Sequence, residues 1–148
     1  MRRFQFNLEK ILELRRYHER QCELRLGEAT GRCNALHRQI QERSVRKKNV
    51  FAKRGAMGRD ISSFLSVEYY TLRMDREIEG LRGELEQAEA ERRERQIEFL
   101  EASKKRKILD KLKDRKQKLY YREQMKAEQK ALDDISSSMY IRSLEGVQ

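Results

Sequence analysis

Apolar side chains recur at alternating intervals of three and four residues along most of this chain of 148 residues. Between residues 5 and 50, nine of the fourteen core positions of one heptad register are apolar. These positions are Leu8, Leu12, Cys22, Leu26, Ala29, Cys33, Leu36, Ile40 and Val50. Such spacing puts an apolar stripe on one face of an α-helix and is typical of a coiled coil. It predicts a first helix over about 7–53, with Asn7 as its N-cap.

The apolar pattern stops where turn-forming residues gather. Glycine, aspartate and serine cluster at Gly55, Gly58, Asp60, Ser62, Ser63 and Ser66. This cluster predicts a loop over about 54–66, with Ser66 as the N-cap of a second helix. A second apolar stripe predicts that this helix runs over about 67–140, and its phase shifts after Leu109 as it does at a coiled-coil stutter.

Two long helices joined by a short loop are expected to pack side by side in opposite directions. We therefore predict an all-α fold: an antiparallel two-helix coiled-coil hairpin with a longer second helix, forming a single elongated domain over 1–148. With the turn near residue 60, residue i lies opposite about residue 120 − i, so the chain beyond about 118 has no partner on the first helix. The alternative is one continuous helix in a parallel dimer, in which each interior glycine would cost ~1 kcal/mol.

Composition narrows the class of protein. Charged residues make up 41% of the chain, and proline and tryptophan are absent. A compact enzyme of this length needs more apolar surface around a cleft, and an all-β fold needs more turn formers. No apolar run approaches the ~18 residues of a membrane span, and the two cysteines suggest no disulfide framework. We expect a cytoplasmic protein.

The net charge of +10 is unevenly distributed. Residues 43–59 carry seven bases and no acid, and residues 104–118 carry nine bases against two acids. Residues 84–101 instead carry seven glutamates against three arginines. Three interpretations stay open: solvation of a thin helical body, an acidic protein partner, or RNA binding through phosphate contacts.

Candidate chemistry is sparse. His18 with Cys22, and Cys33 with His37, have the i, i+4 spacing of metal ligands, but the pairs lie about 22 Å apart along one helix and cannot share an ion. No phosphate-binding loop or nucleophile motif occurs, so we predict no enzyme activity, no catalytic residue, no cofactor and no metal site.

Four mid-helix glycines could have a structural role. Gly27 and Gly31 should lie near Gly80 and Gly83, which would permit a close approach of the helices or a bend. The alternative is that all four are simply tolerated. We expect alanine at all four positions to raise the thermal stability, whereas a fall would support close approach.

The opening Phe4-Gln-Phe-Asn-Leu-Glu-Lys-Ile-Leu-Glu-Leu-Arg and the basic run Glu101-Ala-Ser-Lys-Lys-Arg-Lys-Ile-Leu-Asp-Lys-Leu-Lys-Asp-Arg resemble FliJ-type flagellar export proteins. The resemblance implies a stalk and adaptor that inserts in the export ATPase hexamer, contacts the export-gate membrane protein and escorts export chaperones. It also implies a cytoplasmic position, peripheral at the inner face of the inner membrane, with no specific nucleic acid and no direct membrane insertion.

The resemblance further implies two partner-binding sites. The gate-side residues would be Tyr70, Met74 and Leu81. The ATPase-ring side would comprise three bases and three apolar or aromatic residues: Lys111, Lys113, Arg115, Tyr121, Leu132 and Ile135. The alternatives are an RNA-binding antiparallel coiled-coil arm and a structural coiled coil that oligomerises through residues 119–140.

Overall fold

The computed structural model describes residues 3–55 and 60–146. Within them lie two α-helices, α1 over Glu9–Lys53 and α2 over Ile61–Glu145. The helices pair in opposite directions through contacts between their apolar stripes, which confirms the predicted antiparallel hairpin with a longer second helix.

The second helix begins earlier than the sequence suggested. Asp60 precedes it as the cap: its carboxylate accepts a hydrogen bond from Ser62 Oγ at 2.7 Å, and its carbonyl accepts one from Phe64 N at 3.2 Å. Ser66, the predicted N-cap, instead lies inside the helix and donates from Oγ to the Ser62 carbonyl at 2.9 Å. The serines of the predicted loop are therefore helical, and residues 56–59 of that loop lie outside the described residues.

Contacts divide the chain into two compact units, each with segments of both helices. The central unit comprises His18–Ser103, and the terminal unit joins residues up to Tyr17 with those from Lys104 onward. The sequence-based assignment of one domain over 1–148 remains a prediction.

The central unit is held by a narrow seam. Cys33, Leu36 and Ala88 form its buried cluster, and Leu81 and Leu85 pack against them. Cross-helix ion pairs fix the register on the rim of this seam: Arg32–Glu91, His37–Glu89, Arg43–Glu77, Lys47–Asp75 and Arg54–Glu68. The numbers of the paired residues sum to between 120 and 126, close to the predicted register.

The terminal unit has a small core of its own. Leu12 is fully buried, and Phe6, in the segment before α1, is 8% exposed. Lys113 Nζ pairs with Glu9 at 2.8 Å and Arg16 with Asp110 at 3.1 Å, so α1 and α2 are antiparallel here too. From Tyr121 to Gly146, every residue except Gln124 is exposed. This stretch of α2 therefore extends beyond the part covered by α1, as the sequence predicted.

The mid-helix glycines do not mediate a close approach. A Cβ atom added at Gly27, Gly31, Gly80 or Gly83 would meet nothing within 4 Å. A close helix crossing would have filled the space beside these four glycines, but that space is open. The close-approach interpretation is therefore wrong.

Candidate partner-binding surfaces

Exposed bases form a straight row on α2 of the terminal unit. Their spacing of three or four residues puts them on one helix face, opposite the half-buried positions that face α1. The row, called the basic ridge below, consists of Lys104, Lys107, Lys111, Arg115, Lys118, Arg122 and Lys126. It spans about 33 Å at 1.5 Å per residue. None of the seven makes an ion pair within the part of the chain that the structure describes.

The three predicted ring-side bases do not all lie on the basic ridge. Lys111 and Arg115 belong to it and are exposed. Lys113 lies on another face, half-buried, where its ammonium group is occupied by Glu9. Two of the three predicted cations are thus available to a partner, and the third serves the pairing of the helices.

The three other ring-side residues lie on an exposed apolar stripe of the same helix. Tyr121 is 48% exposed, with its ring edge-on to Tyr120 at 5.7 Å, and Leu132 and Ile135 are 64% and 57% exposed. Met125 and Met139 continue the stripe at helical spacing. We call these five residues the C-terminal stripe. It is the surface that the part of α2 beyond α1 offers to a partner.

The structure does not bring the three predicted gate-side residues to one exposed surface. Met74 is 5% exposed in the seam, and Leu81 packs against the central cluster. Tyr70 is half-buried and lines a groove of about 310 Å³ together with Val50 and Val67. Only Tyr70 is therefore placed to touch a partner directly, while Met74 and Leu81 support it from the helix pairing.

Sequence reasoning missed a second groove on the central unit. It measures about 700 Å³, and its apolar part is formed by Phe51, Ala52 and Ile78. Lys47, Lys48 and Arg82 stand at its edges. The i, i+4 spacing of Lys48 and Ala52 puts these two residues on one face of α1. Whether that face forms a groove with α2 depends on how the two helices pack, which the spacing alone does not give.

Exposed apolar side chains also gather where α2 begins. Ile61, Leu65, Tyr69 and Leu72 are between 54% and 78% exposed and follow helical spacing on the face that points away from α1. Phe64, 46% exposed, adjoins them, and its ring lies 4.2 Å from the Arg54 guanidinium carbon.

Acidic side chains of α2 neutralise part of the basic run on α1. Glu77 accepts hydrogen bonds from Arg43 Nε at 2.9 Å and from Arg73 Nε at 3.1 Å. These two bonds, that from Arg43 foremost, hold the pKa of Glu77 below its usual value. In the acidic stretch, hydrogen bonding to Glu98 raises the pKa of Arg95, which stays charged. Charge here fixes the pairing of helices.

The candidate metal pairs are far from forming a site. Cys22 Sγ lies 3.8 Å from His18 Nε2, whereas His37 pairs with Glu89 and leaves Cys33 in the buried cluster. Among the residues described, no group of three or more His, Cys, Asp or Glu could hold a metal ion. Over the same residues, no helix combines the length and apolarity needed to cross a membrane.

Two long antiparallel helices whose candidate sites are open surfaces define an antiparallel coiled-coil protein. The family described as "Flagellar FliJ protein" matches residues 4–145. The chain belongs to this family and is a component of flagellar protein export. No curated protein and no solved structure gave a match.

Proposed function

We propose that this chain is a non-catalytic stalk and adaptor that inserts in the ring of the export ATPase and links it to the export-gate membrane protein and to export chaperones. It would act in the cytoplasm, peripherally at the inner face of the inner membrane. The observation that carries the proposal is the stretch of α2 beyond Tyr121, which is exposed all round and keeps an apolar stripe.

The ring side of the proposal is supported by two different surfaces on one helix. The C-terminal stripe offers apolar area that no residue of α1 covers. The basic ridge offers seven cations that make no ion pair with another described residue. A protein ring with acidic inner loops would gain electrostatic attraction from the ridge and apolar burial from the stripe. Lys111, Arg115, Leu132 and Ile135 are the residues proposed to touch it.

The gate side of the proposal is assigned to the groove beside Tyr70. Its tyrosine hydroxyl and apolar walls suit a partner side chain that is partly apolar. Met74 and Leu81 would contribute by holding α2 against α1, because both are withdrawn into the pairing. Their replacement should weaken gate binding only as far as it loosens the helix pair.

Binding to the purified export ATPase tests the ring side. Leu132→Ser with Ile135→Ser, and separately Lys111→Glu with Arg115→Glu, are expected to weaken binding by about tenfold or more, in line with the loss of well-buried or complementary contacts. Lys113 is left unchanged because its loss would break the pair with Glu9.

Matched controls exist on the central unit. Leu24 and Ile97 are 57% and 59% exposed, like Leu132 and Ile135, so Leu24→Ser with Ile97→Ser removes the same kind of side chain elsewhere. This variant should bind the ATPase normally. Equal losses in both variants, or no binding by the unaltered chain, would contradict the proposal.

A second candidate, RNA binding by the coiled coil, is favoured by the basic ridge alone. Seven unpaired cations in a row could contact successive phosphates, and such binding would weaken steeply with salt. Purification from cell extract with and without nuclease separates the two functions: an ATPase that stays bound after nuclease treatment supports the stalk, and a loss of all bound material supports RNA.

A further inference from the structure

The end of the central unit where α1 stops and α2 begins has an unusual density of exposed apolar side chains. Five large ones lie within residues 61–72: Ile61, Phe64, Leu65, Tyr69 and Leu72. Over the twenty residues of 82–101, by contrast, only Ile97 and Leu100 are of this kind. Isolated exposed apolar residues are ordinary, but a contiguous set marks a contact surface.

These side chains form one continuous surface. Leu65, Tyr69 and Leu72 follow Ile61 at steps of three or four residues, so they stack along the face of α2 that points away from α1. Arg54 extends the surface to α1, because its guanidinium lies 4.2 Å from the centre of the Phe64 ring and 5.5 Å from that of Phe51. The cation holds the two rings in place while its ion pair with Glu68 steadies it.

The same end of the unit is positively charged. Residues 43–55 and 60–77 hold eight bases and four acids. Three of the acids, Glu68, Asp75 and Glu77, are paired with Arg54, Lys47 and Arg43, and Asp60 stands at the N-cap of α2. Lys48 and Lys53 make no ion pair within the described part of the chain. Lys48 lines a groove together with Phe51, so a cation without an ion pair among the described residues lies beside the apolar surface.

We propose that this surface, called the lipid-facing end below, adsorbs to a membrane rich in anionic phospholipid. Proteins bind such a membrane peripherally through a face of exposed Phe, Leu, Ile and Tyr side chains bordered by Lys and Arg. The apolar face is convex, on the outside of a helix, which suits a deformable headgroup layer better than a shaped protein pocket. Phe51, Ile61, Phe64, Leu65, Tyr69 and Leu72 enter the headgroup layer, and Lys48 and Lys53 meet lipid phosphates.

The lipid-facing end shares no residue with the groove beside Tyr70 or with the ring-side residues. Tyr70 lies about 100° around the helix from Tyr69, on the side of the groove. Lipid adsorption can therefore fail while ATPase binding persists, and the reverse holds too.

Sedimentation of the full chain with vesicles tests the proposal. We expect partition onto vesicles of phosphatidylethanolamine with phosphatidylglycerol, weakening with salt, and little onto phosphatidylcholine vesicles. Leu65→Ser with Leu72→Ser should reduce the partition by about tenfold, on the scale of burying apolar area of this size. The control Leu24→Ser with Ile97→Ser should leave it unchanged, and circular dichroism should show all variants folded.

Because the basic ridge could also attract anionic vesicles, Lys111→Glu with Arg115→Glu is compared directly. A larger loss from this variant than from Leu65→Ser with Leu72→Ser overturns the proposal, as does no partition of the unaltered chain. A third outcome would also overturn it. If the unaltered chain binds the soluble part of the gate protein but not vesicles, and Leu65→Ser with Leu72→Ser abolishes that binding, the surface belongs to a protein partner.

A fluorescent probe locates the contact. The chain has no tryptophan, so Ile61→Trp places a single reporter on the lipid-facing end, and Ile97→Trp places one on a comparably exposed site elsewhere. Anionic vesicles should shift only the emission of the first variant to shorter wavelength. A shift of both, or of the second alone, would contradict the assignment.

Discussion

Replacing the four mid-helix glycines by alanine should stabilise the protein. Gly27, Gly31, Gly80 and Gly83 all lie inside helices of the central unit, and a Cβ atom at each would point into open space. Their backbone angles are those that any residue adopts, since no glycine among the described residues has positive φ. Alanine therefore meets neither a clash nor a strained conformation, and the change acts mainly by restricting the unfolded chain.

The size of the effect comes from helix propensity. Alanine is favoured over glycine by roughly 1 kcal/mol at an interior helical position, so four replacements should add about 4 kcal/mol to the free energy of unfolding. For a chain of 148 residues, an unfolding entropy of about 2.1 cal/mol/K per residue converts this gain into a rise of about 13 °C in Tm. Near additivity is expected because a Cβ atom at each of the four positions would meet no other side chain within 4 Å.

Thermal unfolding followed by circular dichroism at the helical band measures the change. Gly55→Ala is the single-site control: Gly55 follows α1 in a turn and is equally open, so its replacement should stabilise by no more than about 1 kcal/mol, well below the fourfold variant. A fall in Tm for the fourfold variant would refute the reasoning, because it would mean that the helices approach more closely at these positions than 4 Å of free space permits. A rise in Tm with a loss of swimming would instead reveal a functional bend.

Three further predictions concern the core, the ion pairs and the thiols. Leu12→Ala, at a fully buried position, should lower the free energy of unfolding by about 2–5 kcal/mol in a denaturant titration, whereas Leu24→Ala, at a 57% exposed position, should change it by less than about 0.5 kcal/mol. Because the pKa of Glu77 is lowered in the folded state, its pairing stabilises the protein above the usual carboxyl pKa and loses this effect as the pH falls through the lowered value. Arg43→Gln should raise that pKa in an NMR titration, and an unmoved titration would contradict the assigned cause. Both cysteine thiols are buried and should react with a thiol reagent slowly in the folded protein and rapidly in denaturant; fast reaction of the folded chain would show that the seam opens readily.

The sequence predicted the fold well because one physical signal dominates it. The alternating spacing of apolar residues defined both helices, and the glycine and aspartate residues near 55–60 marked the reversal. The start of α2 was misplaced because serine is ambiguous: Ser66 can cap a helix, yet inside one it can bond back to the carbonyl of Ser62. Asp60 takes the N-cap position, because its carbonyl accepts the first helical hydrogen bond, from Phe64 N.

The surfaces were less predictable, since burial depends on the phase of each stripe relative to the partner helix. Met74 was assigned to a partner-binding surface, yet its spacing to Ile78 and Leu81 already placed it in the seam, where the structure finds it buried. Leu72, only two residues away, lies on the opposite side and is 56% exposed. A shift of two positions on a helix turns a side chain by about 200°. An error of two residues in the assigned phase of a stripe therefore exchanges a buried position for an exposed one.

The two basic runs have equal formal charge in the sequence but different physical roles. In and just after α1, Arg43, Lys47 and Arg54 each pair with an acid of α2, and such ion pairs near the surface contribute little to stability. On α2, the basic ridge faces away from α1 and its charges have no internal acid within the described residues. Seven like charges in one row repel one another, and an acidic or phosphate-bearing partner relieves that repulsion as it binds. Binding through the ridge should therefore depend strongly on salt, whereas the pairing of the helices in the central unit should depend on it less, because its seam is apolar.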